Sequence, residues 1–592
     1  MVALVRLVST APIGLTRCDL QNQMQDIIKN LINQALKNLD IEQADFVVEH
    51  PEDFKNGDYS TNVAMACAKK LKMNPRELAD KIAGEMIKHL PKEISKTEVA
   101  GAGFINFYLS REFFSRSVEE ILNTKEVGAN TMLAGKKVMI EYTDPNPFKP
   151  FHIGHLMTNA IGESISRIFE HSGAEVSRAN YQGDVGLHVA RAFYGMQKKG
   201  MPEDMNAPLA VIAQYIGDSY VLGSKAYEED EEAKKEIDAL NKKIYSREDE
   251  EVNQVYDWGF KVTMEAFEDL YKILGTQFDY YFLESKVAPY GEELVRKNLG
   301  KVFEESDGAV VFKAEAHDPK LHTRVFITSQ GLPTYETKEL GLTEEKFKIM
   351  PNMDLSIVIT ANEQTDYMRV VAKAISLIHP EYESKMRHIT HGMMRLATGK
   401  MGSRKGNIVT GESLIRDTIE VIGEKLKDRE LDNDAKNKIA EVVGVAAIKY
   451  SILRSKAGSD IVYDVEESIS TEGDSGPYLQ YSYARAHSIT EKSKTENVLP
   501  DFDTVPEEVT EVERLLYRFS EVVVRSAEES EPHHIATYLI ELARAFNSFY
   551  GNSVIVKKDD RTSPYKVALT YAFSFVMKKG LNLLGVEAPE KM

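Results

Sequence analysis

The 592-residue sequence predicts a multidomain α/β protein, in which a doubly wound parallel sheet lies between an N-terminal α+β module and a C-terminal helical bundle. The length corresponds to roughly four domains of ~150 residues, more than a single core usually supports. Short buried-strand patterns alternate with helical patterns between about 136 and 380. After about 408 the apolar residues keep helical spacing almost to the end.

The composition is that of a globular protein, with 43% hydrophobic and 28% charged residues, which excludes collagen-like and wholly disordered chains. No window approaches 18 uncharged apolar residues, so we expect no membrane span. The two cysteines, Cys18 and Cys67, exclude a four-thiolate zinc site and a disulfide framework, which favours a reducing cytoplasm.

The net charge of −19 argues against nucleic acid as a partner, because phosphate binding requires clustered lysine and arginine. Much of the acid, however, lies in two short stretches, 228–240 and 247–251, which read as solvated helix faces. Basic or aromatic binding surfaces therefore remain possible elsewhere on the chain.

Residues 1–23 carry two arginines and a short apolar stretch, and we expect a disordered leader or a start codon placed upstream of Met24. A weak organellar targeting segment is the alternative. From Met24, two amphipathic helices flank a turn-rich GDYSTN segment and precede an alternating strand that ends near Ser110. These patterns predict a compact α+β domain over 24–118.

The next domain opens with a buried strand over 136–143, then a loop and a helix from about 153 to 171. Further strands are predicted at 177–184 and 355–360. Strands that alternate with helices indicate a parallel sheet. The predicted later divisions are a sheet domain over 119–400 with a helical insertion at about 190–340, a loop with connecting helices over 401–470, and a helical domain over 471–592.

The loop after the first of these strands carries the sequence His152-Ile153-Gly154-His155. The two histidines at i and i+3 point to one side of the predicted helix start, and Gly154 lets a ligand approach the backbone. The helix start offers unpaired N–H groups and a positive dipole end to phosphate. A helix cap with satisfied histidines is the other interpretation.

A second cluster, Lys400-Met401-Gly402-Ser403-Arg404-Lys405-Gly406, combines three cations with two glycines and a serine. Such a mobile loop can close over a polyphosphate and neutralise charge on a departing pyrophosphate. Alone, a basic glycine-containing loop is usually only solvated surface.

Together the two motifs resemble the HIGH and KMSKS motifs of class I aminoacyl-tRNA synthetases. The segments IEYTDPNPFKPFHIGHL, NYQGDVG, GLPTYETKEL, SGPYLQYSYARAHSI and GLNLLGVEAPEKM further resemble the arginyl-tRNA synthetase family, and GDYSTNVAMACAKKL resembles its additional N-terminal domain. The resemblance covers about 24–592. It implies a Rossmann-type catalytic domain, an N-terminal tRNA-binding domain and an all-α anticodon-binding domain.

The resemblance also implies residues for catalysis and for ATP. Ser403 occupies the position of the second lysine of KMSKS, which is often missing in this family. Lys149 matches the lysine that the family has just before the HIGH motif instead. The implied catalytic residues are Lys149, His152, His155, Lys400, Arg404 and Lys405, and the implied ATP-binding residues are His152, Gly154, His155, Met401 and Ser403. No covalent enzyme intermediate is required.

An arginine substrate requires planar acceptors, because its guanidinium presents five N–H donors in a fixed fork. The family's arginine-binding positions match Glu141, Asn146, His155, Tyr335, Glu339 and Glu363, although Asn362 and Gln364 are not separable from Glu363. The sequence departs from the family at Lys338 and Glu339, where arginine and aspartate are common. Val185 replaces a tryptophan, so any stacking role of that ring is absent or moved.

Aromatic rings near arginines suit the unstacked bases of tRNA loops. The resemblance implies tRNA contacts at Phe104, Asn106, Tyr478, Tyr481, Arg485, Asn547 and Met592, with Arg544 and Tyr550 as further candidates. Tyr483 and Phe549 are equally well explained as packing residues.

The resemblance therefore implies an arginyl-tRNA synthetase that uses L-arginine, tRNA(Arg) and ATP with Mg²⁺, has no tightly bound cofactor or metal, and acts as a cytoplasmic monomer. One alternative is a HIGH-type nucleotidyltransferase that needs no tRNA, against which the long helical C-terminal region argues. The others are a non-catalytic tRNA-binding relative and a synthetase of different specificity. Glu141 with Glu339 still predicts a cationic substrate.

Overall fold

The computed structural model of the chain describes residues 24–42, 44–202, 204–205, 207–397 and 409–592. These residues form two compact units. The first unit comprises the described residues up to 130 together with 485–524 and 541–577, and the second comprises those of 131–484, 525–540 and 578–592.

The N-terminal part of the first unit is an α+β fold, as predicted. Its elements are α1 (Met24–Asn38), β1 (Val48–Glu49), β2 (Tyr59–Thr61), α2 (Val63–Leu71), α3 (Pro75–Met86), β3 (Ile94–Ala100), β4 (Phe104–Leu109) and α4 (Arg111–Asn123). The strands form an antiparallel sheet in the order β1-β2-β4-β3. Asn74 starts α3 by accepting the Arg76 N–H at 2.9 Å, with Pro75 at the first helical position. The predicted boundary at 118 falls inside α4, where Val118 and Ile121 are buried.

A parallel five-stranded sheet forms the centre of the second unit. It contains β5 (Lys137–Glu141), β6 (Glu175–Gln182), β7 (Tyr280–Leu283), β11 (Leu355–Ala361) and β12 (Met386–His391), in the order β12-β11-β5-β6-β7. Every neighbouring pair is parallel. The central strand β5 leads into α5, which spans Ile153–His171 as predicted. The carboxyl ends of the strands therefore share one edge, where α5 begins.

The predicted insertion is helical over only part of its length. Helices α6 (Leu187–Lys199), α7 (Leu209–Glu229), α8 (Glu231–Ser246) and α9 (Glu250–Leu274) are followed by β7, α10 (Glu284–Lys297), β8 (Glu304–Ser306), β9 (Ala309–Phe312), β10 (Arg324–Ile327) and α11 (Tyr335–Ile349). Beyond Leu274 the segment contains strands β7 to β10 as well as α10, so the prediction of an entirely helical insertion to about 340 was wrong there. The Asp307-Gly308 turn, with positive φ at both residues, joins β8 to β9. The four-residue runs AVVF and RVFI, rich in β-branched and aromatic residues, form β9 and β10.

The remaining elements are mainly helical. They are α12 (Thr365–Ile378), β13 (Met394–Leu396), α13 (Gly411–Lys425), α14 (Asn433–Leu453), β14 (Ile461–Tyr463), α15 (Val465–Ser468), α16 (Gly476–Thr495), α17 (Glu511–Leu516), α18 (Phe519–Glu529), α19 (His533–Asn552) and α20 (Ser563–Leu583). The predicted helical region 471–592 contributes residues to both units. Within the described part of the chain, no helix is both long and apolar enough to cross a membrane.

Candidate active site

The two histidines at the start of α5 cap each other's backbone. His152 is the N-cap residue: its Nδ1 accepts the His155 N–H at 3.3 Å, and the Nδ1 of His155 accepts the His152 N–H at 3.2 Å. The two rings stack with centroids 3.4 Å apart. Since both Nδ1 atoms accept hydrogen bonds, the proton of each neutral ring lies on Nε2. The capping and ligand-binding interpretations of this motif are therefore compatible.

Both imidazoles are neutral in this setting. Burial, together with the Lys149 charge, lowers the pKa of His152 to about 4. Burial, with His152 and Lys149 nearby, holds the pKa of His155 well below its usual range. A side chain at Gly154 would approach the His152 ring within 3.0 Å, so glycine leaves this face open. The start of α5 thus presents Nε2–H donors and one lysine to an anion.

Buried carboxylates gather at the adjacent strand ends. Glu141, the last residue of β5, is paired with Lys346 of α11. Glu284, which follows β7, accepts from the Lys338 ammonium at 2.6 Å. Burial, with the Glu141 charge beside it, raises the pKa of Glu339. We call the buried Glu141, Glu284 and Glu339, together with the half-buried Asp144, the carboxylate cluster.

The carboxylate cluster exceeds its cations in number. Four acids face three lysines: Lys338 and Lys346 form direct ion pairs, and the Lys149 charge also acts on Glu284. Burial raises the pKa of Asp144, and the Glu141 charge adds to the rise. Burial likewise raises the pKa of Glu284, although Lys338 opposes that rise. A cationic ligand would remove this repulsion.

Two polar side chains beside the carboxylate cluster lack partners. The Tyr181 hydroxyl and both polar atoms of the Gln182 amide are buried without a hydrogen bond to any described residue. Burial, followed by the charges of Glu284, Glu339 and Glu141, raises the pKa of Tyr181 well above its usual range. Buried polar groups without protein partners are typical of a ligand site.

The loop after β6 is fixed by close packing around Gly183. The Gly183 N–H donates to Asn146 Oδ1 at 3.0 Å, and a side chain at Gly183 would clash with Asn146 and come within 3.1 Å of Glu284. Asp184 accepts from the Ser285 hydroxyl at 2.6 Å and from the Tyr256 hydroxyl at 3.0 Å. Asn146 therefore lies beside the carboxylate cluster with its amide N–H₂ group available in addition to this bond.

Two predicted arginine-binding residues lie apart from the carboxylate cluster. Tyr335 is 68% exposed at the start of α11, with the Lys338 ammonium 5.1 Å from its ring centroid. Glu363 is exposed on a short 3₁₀ helix, Asn362–Gln364, which follows β11. The structure therefore brings together Glu141, Asn146 and Glu339, but it leaves Tyr335 and Glu363 facing solvent.

The predicted tRNA-binding residues of the first unit differ in their exposure to solvent. Phe104 is exposed at the start of β4, whereas Asn106 is 4% exposed and accepts from the Ser60 hydroxyl at 2.8 Å. A surface role predicted for Asn106 is corrected by this burial within the antiparallel sheet. Arg485 donates to Asn547 and lies 5.0 Å from the Tyr550 ring centroid, so these three residues form one cluster, in which Tyr550 is exposed and the other two are half-buried.

In the second unit, Tyr481 is exposed on α16, while Tyr478 is half-buried on the same helix. Met592 packs beside the apolar cluster that contains Ile422 and Ala440. Tyr483 is buried, in agreement with the packing interpretation. The residues Lys400, Met401, Ser403, Arg404 and Lys405 lie outside the described part of the chain.

Several site residues were missed by reasoning from the sequence. Glu284 and Lys346 lie in none of the quoted motifs, and Tyr181 lies in NYQGDVG but was assigned no role. The three residues are 40 to 205 positions from Glu141 along the chain. Tyr181 and Glu284 do stand at the carboxyl ends of β6 and β7. Their position at the ends of parallel strands is the signal that could have found them, had β7 been predicted.

A parallel sheet, a helix start with paired neutral histidines at the carboxyl ends of its strands, and an adjoining polar pocket are features of the class I synthetase fold. Residues 117–465 match the family model "tRNA synthetases class I (R), catalytic domain". Residues 26–109 match the arginyl-tRNA synthetase N-terminal domain, and residues 479–592 match the DALR anticodon-binding domain. The chain belongs to the class I (R) tRNA synthetase family.

Curated relatives match over nearly their full length. The arginine–tRNA ligase of Halothermothrix orenii is 29% identical over 575 residues, which span 95% of this chain and 98% of the relative. That of Clostridium perfringens is 29% identical over 579 residues, or 95% of this chain and 100% of the relative. The solved Thermus thermophilus arginyl-tRNA synthetase shares the fold, with a TM-score of 0.76, 23% identity, and coverage of 96% of this chain and 100% of that one.

Proposed function

We propose that the protein is an arginine–tRNA ligase. It joins L-arginine to ATP to form arginyl-adenylate and pyrophosphate, and it then transfers the arginyl group to the 3′ end of tRNA(Arg). The observation that carries this proposal is the carboxylate cluster, in which buried acids outnumber cations beside the neutral histidine pair. Such a pocket suits a substrate with a cationic side chain.

Arginine recognition is assigned to the carboxylate cluster and its neighbours. Glu141 and Glu339 would accept N–H bonds from the guanidinium, which presents its donors in a planar fork. Asn146 would donate to the substrate through its amide, and His155 would donate through Nε2–H. Tyr335 and Glu363 would have to close over the bound amino acid, because both are exposed here.

Activation of ATP is assigned to the start of α5 and to residues 400–405. The Nε2–H groups of His152 and His155, with Lys149, would stabilise the charge that develops when the arginine carboxylate attacks the α-phosphorus. Gly154 would let the nucleotide approach the helix start. Further ATP contacts and cations for the departing pyrophosphate are assigned to Met401, Ser403, Lys400, Arg404 and Lys405.

Mg²⁺ would arrive with ATP as part of the substrate. Among the described residues, no group of three or more histidine, cysteine, aspartate or glutamate side chains could hold a metal ion. Phosphate oxygens and water are the usual ligands of a nucleotide-bound Mg²⁺.

Recognition of tRNA is assigned to exposed rings and to the Arg485 cluster. Tyr481 and Tyr478 on α16, Phe104 on β4, and Arg485 with Asn547 would contact unpaired bases. Met592 would contribute from the chain end. We further propose that the protein acts in the cytoplasm as a monomer and that tRNA binds before arginine is activated.

The proposal is tested by charging of total tRNA with Mg²⁺-ATP and each of the twenty amino acids in turn. Pyrophosphate exchange is measured in parallel, with and without tRNA. We expect arginine alone to be charged and exchange to require tRNA. Pyrophosphate exchange that any amino acid supports without tRNA would favour a nucleotidyltransferase. Charging of tRNA with an amino acid other than arginine would favour a synthetase of altered specificity.

A further inference from the structure

A fully buried lysine far along the chain holds the ends of two helices. Lys449, on α14, donates to the carbonyl oxygen of Leu274 at 2.5 Å and to that of Gly585 at 2.8 Å. Leu274 is the last residue of α9, and Gly585 follows the end of α20. Gly585 has φ +67°, and a side chain there would come within 2.9 Å of the Lys449 ammonium.

Two residues of α5 hold the same helix ends. The Arg167 guanidinium donates to the carbonyls of Asn582 at 3.1 Å and Gly275 at 2.9 Å, and the Ser164 hydroxyl donates to the Leu583 carbonyl at 2.8 Å. The last carbonyls of a helix lack intrahelical partners and carry its negative dipole end. The cations of α5 and α14 therefore fix the turns that follow α9 and α20.

Glu163 links these helix ends to the strand end of the arginine pocket. Its carboxylate accepts from Arg167 Nε at 2.7 Å, from Arg178 Nε at 3.1 Å and from the Tyr142 hydroxyl at 2.6 Å. Tyr142 is buried and directly follows Glu141, the residue of the carboxylate cluster at the end of β5. A continuous set of contacts thus runs from the C-terminal turn to the pocket.

Lys449 places an ionisable side chain in a fully buried position. Burial, with the Arg167 charge beside it, lowers the pKa of Lys449 to about 7, although Glu163 opposes that change. A buried charge is seldom the most stabilising filler of a core, because an apolar side chain of similar volume often stabilises as well. The donors of Lys449 instead fix where two helix ends lie.

We propose that Lys449 is a positioning residue for arginine binding: it holds the turns after α9 and α20, which Arg167 joins to Glu163, and thereby sets the position of Tyr142 and Glu141. This inference rests on the proposed function. The turn after α20 belongs to the same chain end that carries Met592. The position of this C-terminal segment thereby influences the affinity of the pocket for arginine.

The test compares Lys449→Met, Lys449→Arg and Tyr142→Phe in the full-length enzyme. Methionine keeps the length of the side chain but removes the donors, and phenylalanine removes only the hydroxyl that reaches Glu163. We expect both changes to raise the KM for arginine by about tenfold and the KM for ATP by less than about twofold. Lys449→Arg should restore part of the affinity, since it keeps the donors.

A double-mutant cycle separates positioning from general destabilisation. If Lys449 acts through Tyr142, the double variant should have the arginine KM of the worse single variant, rather than the product of both effects. Lys436→Met, also on α14, is the matched control and should leave the KM for arginine unchanged, because the Lys436 ammonium donates to the Lys427 carbonyl in the turn between α13 and α14. If Lys449→Met does not fold, Tyr142→Phe alone carries the test.

An arginine KM that is unchanged in Tyr142→Phe, or multiplicative effects in the double variant, would overturn the positioning role. Equal increases in the KM values for arginine and ATP would also overturn it. These results are distinct from failure of the proposed function, in which the unmodified enzyme would not charge tRNA with arginine at all.

Discussion

Two regions of the molecule that contain buried acids differ in the partners of those acids. In the first unit, Asp58 pairs with Arg514 and also accepts the Leu109 N–H at 2.8 Å. Glu513 there accepts from Arg111 at 2.6 Å and also from the Tyr565 hydroxyl. In the carboxylate cluster of the second unit, by contrast, four acids share two ion-paired lysines and the additional charge of Lys149.

The difference separates acids that hold the fold from acids that hold a ligand. Removing one partner of a buried ion pair leaves an uncompensated charge and destabilises the protein. Removing one of several mutually repelling acids relieves repulsion instead. The two regions should therefore respond to substitution in opposite ways: stability falls in the first, and activity falls in the second.

The largest expected effect is that of Glu339→Gln in the carboxylate cluster. We expect kcat/KM for arginine to fall by about 1,000-fold, because a buried charge partner of the guanidinium is lost. The thermal midpoint should stay unchanged or rise, because the substitution removes a repelling charge. Aminoacylation kinetics and calorimetry measure the two quantities. Glu345→Gln, whose carboxylate pairs with Lys348 at 3.2 Å on the same helix, is the control and should alter neither.

The opposite pattern is expected for Arg514→Met in the first unit. Asp58 is 1% exposed and would lose its ionic partner, so we expect the protein to be destabilised by about 3 kcal/mol. Activation of arginine at low temperature should stay within twofold of the unmodified enzyme. Denaturant unfolding and pyrophosphate exchange provide the measurements. A stable variant with impaired activation would place this ion pair in the functional machinery and break the comparison.

A smaller effect is expected at the histidine pair, where capping and chemistry can be separated. Asparagine is a good N-cap residue, so His152→Asn should keep the start of α5 but remove the Nε2–H donor. We expect pyrophosphate exchange to slow by about 30-fold, with an unchanged thermal midpoint. His152→Ala, which removes both the cap and the donor, should lower the rate of pyrophosphate exchange and the thermal midpoint. An asparagine variant as fast as the unmodified enzyme would show that the histidine acts only as a cap.

The smallest effect concerns pH. Burial and the Glu141 charge raise the pKa of Glu339, so the free pocket holds a proton that arginine must displace. The KM for arginine should therefore fall several-fold as the pH rises from the usual glutamate pKa through the raised value. Folding stability should decrease over the same interval, since the folded protein disfavours the ionised acid. Glu339→Gln should flatten both profiles, and a KM that rises with pH in this interval would contradict the assignment.

The sequence predicted the framework of the catalytic unit well. The bounds of α5 follow from an apolar pattern that begins directly after His152, and the run LSIVIT is confirmed as part of β11. The four-residue strand β7 was not predicted, because its pattern is shorter than the helical patterns that surround it. With β7 absent from the prediction, Glu284 could not be placed at a sheet edge.

Side-chain burial was less predictable than secondary structure. Asn106 was expected at a tRNA-binding surface, but its side chain is buried and accepts a hydrogen bond from the Ser60 hydroxyl on the neighbouring strand. Alternation in a strand of mixed polarity does not reveal which face is covered. Tyr335 was expected in the pocket, yet a helix start directs it to solvent while Glu339, one turn later, is buried.

The most direct test of the charge-selective pocket compares arginine with citrulline, its neutral isostere, as substrates for tRNA charging. We expect the unmodified enzyme to prefer arginine by about 1,000-fold in kcat/KM, because only a cationic side chain offsets the negative charges of the carboxylate cluster. Glu339→Gln should narrow this preference at least tenfold. Equal use of the two amino acids, or an unchanged preference in the variant, would show that the buried acids do not select the substrate by its charge.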